Sequence, residues 1–137
     1  MTRAELYTFL RNHRLAVIST IGATSPQAAV IGIAVTPALD IIFDTLATSR
    51  KYANLSADPR VALAIGWDAE ETVQYEGSAE PLSGRELDAC KLDYFAVWPD
   101  GRERERWPDI AYVRVRPRWI RYSDFGQTPP RIEELTL

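Results

Sequence analysis

The chain has 137 residues, 46% of them hydrophobic and 26% charged, which is typical of one globular domain spanning 1–137. A net charge of -3, from 16 basic and 19 acidic residues, argues against binding nucleic acid through its phosphates. A single cysteine and a single histidine cannot build a disulfide or a structural zinc site, so we expect no metal and a reducing compartment. Without a signal-peptide core or an apolar run of roughly 18 residues, the sequence predicts a soluble, cytoplasmic protein with no membrane partner.

The first half of the chain begins with a helix and continues as strands. Thr2 and Glu5 have the spacing of a capping box, which predicts a helix ending near His13. Strand-like composition between turn residues then predicts strands over 15–21, 28–35 and 39–45. Ser49 is placed to cap a short helix over 50–57, directly after the third strand.

The second half repeats this mixture of strands and short helices. Strands are predicted over 61–67, 72–82 and 110–122. Ser83 and Glu86 have capping-box spacing and predict a helix that ends near Phe95. The tail from Gln127 is expected either to be poorly ordered or to reach across to a partner.

Six predicted strands, mostly joined by tight turns and interrupted by short helices, indicate a mainly β fold. Tight turns favour antiparallel pairing, whereas a parallel βαβ sheet needs long crossovers. The sequence therefore predicts a six-stranded antiparallel β-barrel with short helices plugging its openings.

The most informative segment runs from Ile42 to Leu63, where a strand ends and a helix begins. Hydroxyls at Thr45, Thr48 and Ser49, cations at Arg50 and Lys51, and the free N–H groups of the first helical turn should converge there. Such a donor set suits a phosphate monoester, because Arg grips two oxygens at once and Lys adds a compact charge. A bare Ser-Arg-Lys triplet is more often a capped, solvated helix start.

The surrounding order of residues adds to that interpretation. A strand closing on an aromatic residue and Thr is followed by Ser-Arg-Lys, then Asn-Leu, then Asp-Pro-Arg-Val, all within 43–61. This order and spacing resemble the pattern with which pyridoxamine 5'-phosphate oxidase-like proteins bind FMN. The resemblance covers about 15–82 and includes 76–80, which looks like the family's Gly-x-Ala turn into the fifth strand. It implies a Greek-key split barrel of the FMN-binding type, forming a homodimer with FMN at the subunit interface.

The resemblance also implies a set of cofactor-binding residues. They are Ala29, Val30, Ile31, Asp44, Thr45, Ser49, Arg50, Lys51, Thr72 and Gln74. Those from Thr45 to Lys51 fall on the family's phosphate and ribityl positions. Backbone atoms around Val30 fall where the family lays the flavin ring, and Thr72 or Gln74 would reach the flavin from the second subunit.

Departures from the family pattern limit what the resemblance implies about activity. The family's oxidases usually carry Arg at the position of Ala29 and Lys at that of Ala34. The Arg-x-His pattern with which they hold pyridoxamine phosphate is absent from 112–122, which argues against vitamin B6 oxidation. The last strand carries arginines two apart, at Arg114, Arg116 and Arg118, which should share one face. This face is either solvated, a basic lip for an anionic substrate, or a surface that pairs with acids of the partner subunit.

The leading hypothesis is an FMN-dependent oxidoreductase of unknown small-molecule substrate, with no catalytic residue assigned. The alternatives are a non-catalytic flavin or haem binder, acting as a sensor, store or stress protein, and a protein that binds the deazaflavin F420.

Overall fold

The computed structural model describes residues 1–137 as eight strands and four helices. In chain order these elements are α1 (Arg3–Arg11), β1 (Leu15–Ile21), β2 (Pro26–Gly32), β3 (Ala34–Val35), β4 (Ile41–Leu46), α2 (Arg50–Ala57), β5 (Arg60–Ile65), β6 (Glu71–Pro81), α3 (Gly84–Val97), α4 (Gly101–Arg104), β7 (Ile110–Asp124) and β8 (Arg131–Thr136).

All strands belong to one antiparallel sheet that curls on itself. The main order is β2-β1-β5-β6-β7-β4-β3, and β8 pairs with the second half of β7. The two end strands of this order, β2 and β3, are consecutive in the chain and separated only by Ile33, which is 1% exposed. The sheet must therefore bend until its ends meet at Ile33, which produces a barrel split along that line. The predicted antiparallel barrel with short helices is confirmed.

The strand count differs from the prediction for two local reasons. The strand predicted over 28–35 is two strands, because the chain passes from one edge of the sheet to the other at Ile33. The tail from Gln127 is not loose and does not extend away from the barrel, since β8 pairs with β7 of the same chain from Trp119↔Thr136 to Asp124↔Arg131.

Helix starts follow the predictions at two of three places. The Thr2–Glu5 capping box is present in α1, and the Ser49 hydroxyl caps α2 by accepting the Tyr52 N–H at 3.3 Å. The capping box predicted at Ser83 is wrong, because the Ser83 side chain makes no cap hydrogen bond. Glu86 instead lies 3.0 Å from Arg114 across the barrel surface, so its carboxylate serves an ion pair rather than the helix start.

A β-bulge between β6 and β7 changes two further expectations. The segment 76–80 lies inside β6 and is not a turn into a strand. The register shifts at Glu76/Gly77, where a Cβ on Gly77 would meet the Arg116 carbonyl oxygen at 2.4 Å. Since Arg118 is the residue that the bulge adds on β7, it does not continue the face on which Arg114 and Arg116 both contact Glu80.

The core fills the barrel and fixes α2 against it. The larger apolar cluster contains 20 buried residues, and Leu55 of α2 is one of them at 1% exposure. Tyr52, three residues earlier on the same helix face, packs against that cluster. This packing sets the first turn of α2 beside β1 and β2. None of the helices has the length and apolar character needed to cross a membrane.

Candidate functional site

A cleft of about 160 Å³ separates the inner face of the β1–β2 hairpin from the start of α2. Its lining consists of Ile18, Thr20, Gln27, Ala28, Ala29, Arg50 and Lys51. The strands supply small and apolar side chains, and the helix supplies both cations. The structure therefore brings Ala29 together with Arg50 and Lys51, three of the residues singled out in the sequence.

Hydroxyl and amide donors surround the start of α2. The Thr45 and Ser49 side-chain oxygens lie 3.1 Å apart, so one hydroxyl donates to the other and one hydroxyl hydrogen stays free. The backbone N–H groups of Arg50 and Lys51 have no acceptor, because the Ser49 cap and carbonyl accept from the third and fourth residues of the turn. Thr45 is buried at 7% exposure, Ser49 and Lys51 are half-buried, and Arg50 is exposed, so the donor cluster extends from the barrel wall to the surface.

The two cations of the cleft have no internal counter-charge. Seven other basic side chains contact carboxylates, namely Arg60, Lys91, Arg104, Arg114, Arg116, Arg121 and Arg131. Arg50 and Lys51 form no such pair, and the first turn of α2 has no acidic residue. Cations at a helix N-terminus oppose the helix dipole by about 0.3–1 kcal/mol each. An anion bound between them would be attracted both by the cations and by the helix dipole, so the net electrostatic interaction would become favourable.

A hydrogen-bonded group at the base of the cleft is absent from the residues predicted from the sequence. The Asn54 amide nitrogen lies 3.0 Å from the Thr20 hydroxyl and 2.8 Å from the Gln27 amide oxygen. Thr20 and Gln27 are direct partners across the β1–β2 ladder. One signal was available in the sequence: alternation along β1 places Thr20 on the same inward face as Ala16 and Ile18.

Asp44 lies on the opposite face of β4 from Thr45, and the structure does not bring it to the cleft. Its carboxylate accepts the Tyr94 hydroxyl at 3.0 Å and the Arg104 guanidinium at 2.8 Å. Burial and the neighbouring Asp44 carboxylate raise the pKa of Tyr94. Because side chains alternate along a strand, Asp44 ties α3 and α4 to the barrel while Thr45 faces α2.

The three predicted residues of β2 have different surroundings. Ala29 lines the cleft, Val30 is 63% exposed on the outer face, and Ile31 is buried in the core. β2 pairs only with β1, so its other edge presents unpaired backbone groups at alternate residues. This free edge agrees with the expectation that backbone rather than side-chain atoms of β2 contact a ligand.

Thr72 and Gln74 lie outside the cleft. Both belong to β6, which is three strands from β2 in the sheet order, or about 14 Å measured along the curled sheet. Gln74 is exposed on the outer face, beside Ala64 of β5. Neither side chain can contribute to a ligand in the cleft of the same chain, so a role for them requires a second subunit.

Fold and site together define an antiparallel split barrel with a candidate anion site at a strand-to-helix junction. A family model described as pyridoxamine 5'-phosphate oxidase matches residues 2–124. A pyridoxine/pyridoxamine 5'-phosphate oxidase of Bordetella avium is 33% identical over 122 residues, which are 83% of this chain and 56% of that protein. The chain therefore belongs to the pyridoxamine 5'-phosphate oxidase-like family, and it spans about half the length of the curated relatives it matches.

Solved structures share the fold at low sequence identity. A heme-binding protein from Mycobacterium smegmatis gives a TM-score of 0.84 at 18% identity, covering 99% of this chain and 58% of that one. General Stress Protein 26 from Bacillus anthracis gives 0.71 at 18% identity, covering 97% and 98% respectively. These likenesses establish the split-barrel fold.

Proposed function

We propose that this protein binds FMN by its phosphate at the start of α2 and acts as an FMN-dependent oxidoreductase of unknown substrate. One observation carries the proposal: Arg50 and Lys51 line a single cleft without any carboxylate partner, whereas seven of the other 14 basic side chains are paired with carboxylates. The family to which the chain belongs supports it.

The donor set at this position fits a phosphate monoester. Such a group carries about -1.5 to -2 charges at pH 7 and three acceptor oxygens. The chain offers two cations, the unpaired N–H groups of Arg50 and Lys51, and one free hydroxyl hydrogen from the Thr45–Ser49 pair. The negative charge of the phosphate therefore matches the two cations, and its acceptor oxygens match the unpaired donors of the chain.

The chain's own residues bind and orient the cofactor, which when bound supplies hydride and electron transfer. Arg50 would bind two phosphate oxygens and Lys51 would add a point charge, while Ser49 holds the helix start in place by accepting the Tyr52 N–H. Ala29 leaves the floor of the cleft small and apolar, so the flavin ring can lie against β2. A reducing cytoplasm, where Cys90 stays a free thiol, is the proposed setting.

We further propose that a second copy of the chain completes the site. The cleft of about 160 Å³ is smaller than the roughly 300 Å³ at which small-molecule pockets begin. The outer face of β5 and β6 carries small exposed side chains at Ala62 and Ala64, beside Gln74, and no helix covers it. A partner docked on this face would bring its own Thr72 or Gln74 to the flavin.

Addition of FMN to purified protein tests the binding proposal. We expect quenching of flavin fluorescence and a shifted absorbance spectrum that survive desalting. A protein that stays colourless after incubation with excess FMN would refute the proposal. Reduction of the bound flavin by NADH or NADPH, followed by electron transfer to an added acceptor, separates an enzyme from a non-catalytic flavin binder.

The dimer is tested by a charge placed on the outer face. Ala64→Arg should yield a monomer in light scattering and should weaken FMN binding, because Ala64 lies beside Gln74 on the proposed contact face. Ala96→Arg, on an exposed position of α3, is the matched control and should leave both properties unchanged. Unchanged mass and affinity in Ala64→Arg would contradict the shared site.

Two other cofactors are alternatives to FMN. Haem is favoured by His13, whose Nδ1 donates to the Phe9 carbonyl at 2.8 Å. Its Nε2 faces the cleft of Gly66, Trp67 and Asp68 and lies 4.0 Å from the Asp68 carboxylate. A Soret band that His13→Ala abolishes would support haem. The deazaflavin F420 is compatible with Ala29, and the spectrum of cofactor released from native protein distinguishes it from FMN.

A further inference from the structure

We propose that Thr20 donates a hydrogen bond to the cofactor in the cleft and that Asn54 orients it for this role. The inference rests on the proposed function, since it assigns residues to the same site. Thr20 contacts the ligand directly, whereas Asn54 is a positioning residue that acts through Thr20.

The hydrogen bonds around Thr20 leave its hydroxyl hydrogen unused. The Asn54 amide nitrogen has only hydrogens to give, so the Thr20 oxygen, 3.0 Å away, must accept. The second Asn54 hydrogen goes to the Gln27 oxygen at 2.8 Å, which fixes the orientation of the amide. No acceptor in the structure receives the Thr20 hydroxyl hydrogen.

Burial makes this unused donor significant. Thr20 is only 2% exposed, so its side chain faces little besides the protein and the cleft. A buried donor without an acceptor is destabilising. Thr20 lines the cleft together with Lys51 and Ala29, and an acceptor atom on a ligand in that cleft would satisfy it.

Asn54 joins the two halves of the site. It lies one helical turn after Arg50 in α2, and its amide reaches both members of the Thr20–Gln27 pair across β1 and β2. The Asn54 amide group therefore fixes the cationic end of α2 relative to the strands. Because it donates to the Thr20 oxygen, it also leaves the Thr20 hydroxyl hydrogen available for another acceptor.

The test measures dissociation constants of FMN and riboflavin by fluorescence quenching. Thr20→Val keeps the side-chain shape but removes the hydroxyl, and we expect about five- to tenfold weaker FMN binding. Thr20→Ser keeps the donor and should restore affinity to within about twofold of the wild type. Thr36→Val is the matched control: its hydroxyl accepts the Asp40 N–H at 3.2 Å, remote from the cleft, and its loss should not change affinity.

The role of Asn54 is tested by a double-variant cycle. Asn54→Leu should weaken FMN binding by a similar factor, and adding Thr20→Val to it should weaken binding little further, because the hydroxyl is already misdirected. Additive losses would overturn the positioning role. If Asn54→Leu fails to fold, the Thr20 variants still decide the donor role.

The outcomes separate this inference from the proposed function. Wild-type protein that binds neither flavin refutes the proposed function itself. Wild-type protein that binds FMN while Thr20→Val binds equally well overturns only the inference. Weaker binding of both flavins places the Thr20 contact outside the phosphate, and weaker binding of FMN alone places it on the phosphate; either result supports the donor role.

Discussion

The two faces of strand β4 carry charge for different purposes. On one face the Asp44 carboxylate is held by Tyr94 and Arg104, and Arg104 also contacts Asp100 at 3.0 Å. On the other face Thr45 contacts Ser49, which precedes two cations that have no counter-charge. The first face contains its own counter-charges, whereas the cations beside the second have none within the chain.

This difference shows how a fold separates stability from binding within one strand. Ion pairs with limited exposure stabilise a structure only when each charge has partners, since desolvation opposes them. The Asp44 network meets that condition with four groups. The cations of α2 oppose the helix dipole and so favour the protein only when an anion is bound. The two faces should therefore respond differently to substitution.

The largest effect on stability is expected at Asp44. Asp44→Ala leaves Arg104 and the buried Tyr94 hydroxyl without their acceptor, and the free energy of unfolding should fall by about 3 kcal/mol in urea titrations. Asp58→Ala, which removes the partner of the exposed Arg60, is the control and should cause a much smaller loss. The folded fraction of Asp44→Ala should still bind FMN with wild-type affinity. Weaker FMN binding by Asp44→Ala would contradict the separation of stability and binding between the two faces of β4.

A pH dependence should follow from Tyr112, the partner of Asp44 in the β4–β7 register. Burial, with the charges of Asp44 and Glu105, raises the pKa of Tyr112 from 10.0 to about 12. Below pH 10 the hydroxyl is neutral in both states; above it the unfolded chain ionises first, so stability should fall by about 2 kcal/mol between pH 10 and 12. The free energy of unfolding, measured by denaturant titration at several pH values across this range, should fall less steeply with pH in Tyr112→Phe than in the wild type.

At neutral pH the same substitution should be favourable. The Tyr112 hydroxyl is buried without a hydrogen-bond partner, so Tyr112→Phe should raise the free energy of unfolding by about 1 kcal/mol. Tyr75→Phe is the matched control, because the Tyr75 hydroxyl lies 2.8 Å from the Leu39 carbonyl and 3.1 Å from that of Val115. Loss of the Tyr75 hydroxyl should therefore destabilise the fold. Equal effects of the two variants would contradict the conclusion that the Tyr112 hydroxyl has no hydrogen-bond partner.

The smallest effect is expected where the cations are unpaired. Replacing Arg50 and Lys51 together by Ala should raise the stability of the ligand-free protein by about 0.6 kcal/mol, twice the lower limit of the dipole repulsion for one cation, because this repulsion disappears. Thermal unfolding without ligand measures this. A loss above about 2 kcal/mol would show that the cations serve the fold and not a ligand.

Much of the architecture could be predicted from local sequence. The helix over 50–57 has its cap at Ser49 and its apolar pair at Tyr52 and Leu55, and its observed bounds agree with the prediction. β1 also has the predicted bounds. These elements are specified by neighbouring residues, so pattern and propensity suffice for them.

Features that depend on distant contacts could not be predicted in this way. The break at Ile33 exists because the curled sheet brings its two ends together, and β8 forms because β7 offers it an edge. Asp44 and Thr45 are neighbours in sequence, yet only α3, α4 and α2 determine what each of them contacts. The Thr20–Asn54 contact likewise joins residues 34 positions apart.

The central claim is that Arg50 and Lys51 hold a phosphate, and the ratio of FMN to riboflavin affinity tests it most directly. Wild-type protein should prefer FMN by at least about 100-fold, and Arg50→Ala with Lys51→Ala should reduce that preference below about tenfold. Arg3→Ala with Arg85→Ala, which removes the same charge from exposed positions, should retain the wild-type ratio. An equal preference for FMN in the wild type and in the Arg50 and Lys51 variant would contradict the claim.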